Sequence, residues 1–294
     1  MDWLDRHWDS LHHLINHLEL TTGLAAIETP THLSELAEKV RLQFPEESRS
    51  LLKQIPLVIL PVAELDAYGI PTSQGPIVAI DYLMATVLPA FTLITWGMSF
   101  EDPSEPEIFD PRQLIWLTCS VHMRDIRPTL CFPCWSIVFD ALHGKRPDFA
   151  PALKMVDVEL AWVLAHEYGH IVRNHLATAP SPEREYEADR IATEVTWNVF
   201  RPFEHFVWAL ESIFLLFAIL ERFEPIDEVH PPASQRAEAI RQQLLQLPDG
   251  GMLWQSVMKR TRELSKMMVT SFDLDAACQH WRNASAVDVN WWRV

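Results

Sequence analysis

The chain has 294 residues, 48% of them hydrophobic, and a formal net charge of -16, which is enough apolar material for one large domain or one and a half. The acidity argues against nucleic acid or an anionic membrane as a general partner, because both attract basic surfaces. Eight glycines are few for this length, so a mainly α protein with a small β-sheet (α+β) and few tight turns is expected.

Leu4, Trp8, Leu11, Ile15 and Leu18 predict an amphipathic first helix, on which His12, His13 and His17 read as surface residues. Helices are expected over Ser34–Phe44 and Glu46–Ile55. Pro56–Val62 and Gly75–Ile80 are the strand candidates, rich in Val and Ile and bounded by Pro or Gly; they supply the small sheet that a cleft needs to hold an extended substrate. The apolar run from Pro76 to Phe100 contains Asp81 and Pro89 and lacks basic flanks, so it reads as buried and not as membrane-spanning. Lys and Arg are absent between Lys53 and Arg112, which points to a solvated acidic face.

The segment EDPSEPEIFDP, Glu101–Pro111, reads as a loop. It divides an N-terminal helical region with short strands, 1–105, from a catalytic region, 106–294, unless the two form one continuous domain. Cys119, Cys131, Cys134 and Cys278 make no disulfide framework in a chain of this size, and the Cys131/Cys134 pair lacks a second pair to complete a four-ligand zinc set. Reduced thiols and the absence of a charged leader favour a cytoplasmic protein.

His166-Glu167-Tyr168-Gly169-His170 is the most informative segment. On a helix, residues four apart project from one face, where two imidazoles can hold one zinc ion while the intervening carboxylate reaches a water beside it. The flanking sequence is strongly apolar, from Val156 to Leu176, and two imidazoles with a carboxylate are costly in a buried helix unless something binds them. A catalytic zinc also needs a third protein ligand and an open position. The prolines after Leu176 break the helix, and Ser181-Pro182 reads as an N-cap followed by proline at the first position of a new one. There Glu185 is assigned as the third ligand, and Asp189, four residues on, as the acceptor behind a ligand imidazole. Glu183 and Glu187 are the local competitors.

His175 lies five residues after His170 with no glycine between them; on a continuing helix it points away from the metal face, toward a packing or surface role. Val207–Leu220 is interrupted by Glu211 and reads as a buried helix. His230-Pro231-Pro232 precedes a helix whose stripe is Ala237, Ile240, Leu244 and Leu247, ending at Pro248-Asp249-Gly250. His230 reads equally as a donor to a tetrahedral oxyanion and as an ordinary loop histidine, with Arg236 steadying the site or the substrate carbonyl.

The set HEYGHIVRNH, EREYEAD and HPPASQR resembles the gluzincin metallopeptidases, which pair HExxH with ExxxD and a later HP…R element. The short gap between the first two motifs and the segment Val78-Ala79-Ile80-Asp81-Tyr82 look most like the phage-exclusion Lit peptidases. The resemblance covers about Leu160 to Arg236. It implies a zincin-like core and a bacterial zinc endopeptidase of abortive infection whose family target is elongation factor Tu, switched on by a phage-derived activating ligand. It also implies His166, His170 and Glu185 as ligands of Zn2+, Glu167 as general base and His230 as transition-state stabiliser. The chain departs from the broader membrane-associated relatives in lacking their glycine-rich edge-strand motif, which leaves the substrate-docking strand unplaced. Two other readings are a catalytically silent metal-binding sensor and a membrane-associated housekeeping protease.

Overall fold

The computed structural model describes residues 31–60, 66–99, 149–221 and 229–247. The expected first helix with its histidines, the Glu101–Pro111 loop, the boundary at 105/106, the four cysteines and the helix stop at 248–250 lie outside these residues. The described part is mostly helical with one three-stranded sheet: α1 (Thr31–Arg41), α2 (Glu46–Leu52), β1 (Leu57–Leu60), β2 (Ala67–Ile70), β3 (Ile77–Asp81), α3 (Tyr82–Ser99), α4 (Ala150–Val172), a 3-10 turn (His175–Ala177), α5 (Pro182–Phe200), α6 (Phe206–Leu220) and α7 (Ala233–Leu244).

The sheet order is β1-β3-β2, with β1 parallel to β3 from Leu57 against Val78 to Leu60 against Asp81. β2 runs antiparallel to β3 from Ala67 against Ile80 to Ile70 against Ile77. β1 falls inside the predicted Pro56–Val62 run and β3 overlaps Gly75–Ile80, running one residue past it, whereas β2 was not expected from the sequence. At four residues, with a glycine inside it, AYGI carries too little alternation to declare itself. The β2–β3 connection closes where Thr72 and Gly75 exchange backbone hydrogen bonds, and Gly75 has φ 117°, a conformation that favours glycine.

The apolar run from Pro76 is divided between β3 and α3, and no helix among the described residues is long and apolar enough to cross a membrane. α4 is apolar around its whole circumference because neighbours surround it: α1, α3, α5, α6 and the sheet all pack on it, and Ala161, Leu164, Ala165 and Tyr168 are fully buried. Even a carboxyl is enclosed, since Thr92 Oγ1 on α3 lies 2.6 and 2.7 Å from the two Glu159 oxygens. Burial pushes that carboxyl well above the ordinary range.

α4 ends earlier than the sequence suggests. Its last residue is Val172, and Asn174 takes φ 57°, a left-handed conformation that asparagine tolerates better than most residues. The chain then turns back through His175–Ala177 before Pro182 starts α5. Ser181 has the extended backbone of an N-cap but makes no side-chain bond to the helix amides; Glu183 and Glu185 in the first turn suit the positive end of the helix instead.

Among the described residues α4 and α5 form the most extensive pairing, and they approach closely at Gly169, where an added Cβ would sit 3.5 Å from Ala188 Cα. A methyl group fits there at ordinary contact; a larger side chain has nowhere to go. Gly169→Ala is therefore expected to change unfolding free energy by less than about 1 kcal/mol, and Gly169→Leu to destabilise by about 1–3 kcal/mol, measured by urea denaturation. Equal stabilities of the two variants would contradict this close approach.

Candidate metal centre

α4 presents His166 and His170 one turn apart toward α5. The two imidazoles meet Nε2 to Nε2 at 3.0 Å, and Glu185 brings Oε2 to 3.4 Å from His166 Nε2 and Oε1 to 3.4 Å from His170 Nε2. Ligands bonded at zinc distances in a tetrahedron stand about 3.3 Å apart, close to the separation of the two imidazoles and to the distance from each of them to its nearer Glu185 oxygen, a different oxygen in each case. Among the described residues, His166, His170 and Glu185 are the group that offers such a donor set, with its ligand atoms all within 4.8 Å.

Asp189, one turn beyond Glu185, lies behind His166, with Oδ1 2.9 Å from His166 Nδ1. At that distance the carboxylate favours the charged imidazole. Arg236 from α7 donates to the same carboxylate twice, Nε to Oδ2 at 2.8 Å and Nη2 to Oδ1 at 2.7 Å. Its guanidinium is therefore committed to Asp189, and it acts on the site through that carboxylate. The Trp162 indole stacks on His166 at 5.5 Å, lies 6.0 Å from the Arg236 guanidinium and donates Nε1–H to Thr193 at 3.1 Å. This apolar plate fixes the back of the site and excludes water from it.

Glu167 points the other way, toward the sheet. The β2 backbone at Gly69 approaches closely enough that a Cβ there would stand 3.5 Å from Glu167 Oε2 and 3.3 Å from Leu176 Cδ2, and the Gly69 amide hydrogen-bonds the carboxylate. His230 stands at the mouth with its side chain 42% exposed and Nε2 3.9 Å from Glu185 Oε2. The structure thus brings together His166, Glu167, His170, Glu185, Asp189, His230 and Arg236.

His175 departs from expectation. The turn at Asn174 folds it back so that its Nδ1 lies 3.1 Å from His170 Nδ1, and it is buried. The premise of a continuing helix was the error. Gly69 and Trp162 were also missed as parts of the site, as was Asp66, just before β2, whose charge acts on Glu167: Trp162 reads as ordinary core, and the short β2 gives no periodic signal.

The charges settle in a definite way. Burial lowers the His166 imidazole, but its contacts with Asp189 and Glu185 and their charges outweigh this and push it up to about 10. Burial and the neighbouring His166 charge push His170 down to about 3. Glu185 and Asp189 both fall below the carboxylate range; burial opposes that, but His166 outweighs it at Glu185, as Arg236 and His166 do at Asp189. Burial lifts Glu167 to about 8, with Asp66 and Glu185 adding to the rise. Two carboxylates are thus balanced by Arg236 and one imidazolium, so a proton occupies the side of His166 that a metal would need.

Residues 152–257 match the family model described as Peptidase U49. Peptidase U49 is the Lit-like peptidase family, and the matched span contains α5, α6, α7 and all but the first residues of α4. The match to Peptidase U49 supports a peptidase. No curated protein and no solved structure matches the chain.

A cation entering this cluster must displace the proton on His166. Because that imidazole is raised to about 10, the apparent zinc affinity is expected to climb about tenfold per pH unit between pH 7 and 9, with at least one proton released per ion. Titration calorimetry in two buffers of different ionisation enthalpy measures both. A flat affinity over that range would contradict the charge assignment.

Proposed function

We propose that the protein is a zinc-dependent endopeptidase in which His166, His170 and Glu185 hold the metal. The observation that carries this reading is the convergence of two imidazole nitrogens and the Glu185 carboxylate, with one ligand atom from each within 4.8 Å of the others, beside a buried carboxylate held on another face of the same helix. Zinc bound by such a set supplies an acidified water and a Lewis acid for the carbonyl.

Glu167 is the general base. With burial and the nearby Asp66 and Glu185 lifting it to about 8, its conjugate acid is strong enough to hand the proton on to the leaving amine, and a cation nearby draws it back toward the ionised form that accepts a proton from the attacking water. Gly69 keeps the carboxylate aimed through its amide. His230, exposed at the mouth and next to Glu185, is placed to donate to the oxyanion as it develops. Arg236 and Asp189 touch no substrate in this scheme; they hold the His166 ring so that Nε2 faces the metal.

The likeness to the Lit peptidases supports a cytoplasmic role in abortive infection, with host elongation factor Tu as substrate. A protease aimed at a translation factor would kill its host if it ran unchecked, so a phage-derived ligand is proposed to activate it. Nucleic acid and membrane have no part in the proposal; the net charge of -16 disfavours both anionic partners.

Terminal-peptide mass spectrometry of phage-infected cells expressing wild type or Glu167→Gln tests these points together. The expected result is a new elongation factor Tu terminus in infected wild-type cells only, while purified Glu167→Gln still binds zinc. Cutting by Glu167→Gln would refute the base, and equal cutting without phage would refute the activating ligand.

A further inference from the structure

His170 differs from His166 in what stands behind it. The Nδ1 of His166 faces a carboxylate, whereas that of His170 faces a second imidazole: His175 Nδ1 is 3.1 Å away, and the rings meet edge to face at 5.1 Å and 73°. Beyond it, His175 Nε2 lies 3.2 Å from Glu187 Oε2, and Arg173 Nε lies 2.9 Å from Glu187 Oε1. The chain of contacts therefore runs Arg173, Glu187, His175, His170.

Hydrogen-bond bookkeeping fixes the direction of that chain. If His170 turns Nε2 toward a metal, its Nδ1 must carry the proton and donate. His175 Nδ1 must then accept, which leaves the His175 proton on Nε2, where the Glu187 carboxylate accepts it. Each group has one role, and no two donors meet. The backbone holds His175 there: Asn174 supplies the left-handed turn, and the Thr178 amide and hydroxyl both donate to the His175 carbonyl, at 3.1 and 3.0 Å. Leu176, next in sequence, packs over Gly69 of β2, so the same short turn touches the metal face and the strand that aims Glu167.

We propose that His175 is a positioning residue for metal binding, accepting from His170 Nδ1–H and oriented by Glu187. This rests on the reading that His166, His170 and Glu185 hold zinc. It gives the three residues after α4 a task that the motif itself does not assign. Partners of this kind, when lost, commonly weaken metal binding by about 10- to 100-fold.

The test uses full-length protein: zinc affinity by chelator competition and the visible spectrum of the cobalt(II) form, for wild type, His170→Ala, His175→Phe and His175→Asn. Phe fills the volume without an acceptor, and Asn can place an oxygen near the lost Nδ1. The expected result is a 10- to 100-fold weakening and an altered cobalt spectrum for His175→Phe, with His175→Asn close to wild type. In zinc-loaded wild type, long-range proton–nitrogen correlation spectra should show His175 protonated at Nε2 and His170 at Nδ1, which decides the matter even if His175→Phe fails to fold. Wild-type affinity and spectrum for His175→Phe, or a His175 proton on Nδ1, would overturn the positioning role and leave the metal reading standing. Absence of zinc uptake by wild type, or undiminished uptake by His170→Ala, would remove the metal reading and this inference with it.

Discussion

A single carboxylate ties the site to the fold. Asp189 is 1% exposed, and removing such a charge from water costs several kcal/mol unless well-placed partners offset it. Its partners come from two other helices: His166 from α4 and the Arg236 guanidinium from α7. The carboxylate is satisfied only when α4, α5 and α7 are in register, and that same register brings Glu185 to the two imidazoles. Assembling the core and assembling the metal centre are one event here.

The arrangement keeps the two ends of the chemistry apart. On the α5 side, His166, His170, Glu185, Asp189 and Arg236 form a charge-balanced cluster backed by Trp162, with little freedom to move. On the sheet side, Glu167 is held near neutrality by burial, with the charges of Asp66 and Glu185 adding to it. A charge-poor base beside a charge-rich ligand set is a sensible division, because the base must change protonation during turnover while the ligands must not. His230 stands outside both groups, at the exposed mouth, where a substrate would arrive.

Much of this was legible in the sequence. The HEYGH spacing placed two imidazoles on one helix face, and the proline break with Ser181-Pro182 located the second helix and so Glu185 and Asp189. Val/Ile-rich runs marked β1 and β3, and the run from Pro76, read as buried and not as membrane-spanning, divides after Asp81 into β3 and α3, with Pro89 inside α3. What escaped detection depends on local backbone or tertiary contact. β2 is four residues long and contains Gly69, so periodicity is silent. The early end of α4 rests on Asn174 adopting a left-handed conformation, and without that turn His175 points away from His170. The commitment of Arg236 to Asp189 needs α7 to cross near α5, which no spacing within one helix encodes. Buried Trp162 looks like any core tryptophan until its neighbours are known.

The central claim is that two imidazoles and one carboxylate converge on a single cation. X-ray absorption at the zinc edge of the zinc-loaded, full-length protein reads that shell directly. The account predicts a low-coordinate site of nitrogen and oxygen donors at about 2.0–2.1 Å with the outer scattering of two imidazole rings, lost on replacing His166 and His170. A shell containing sulfur at about 2.3 Å, or one unchanged by those replacements, would contradict it.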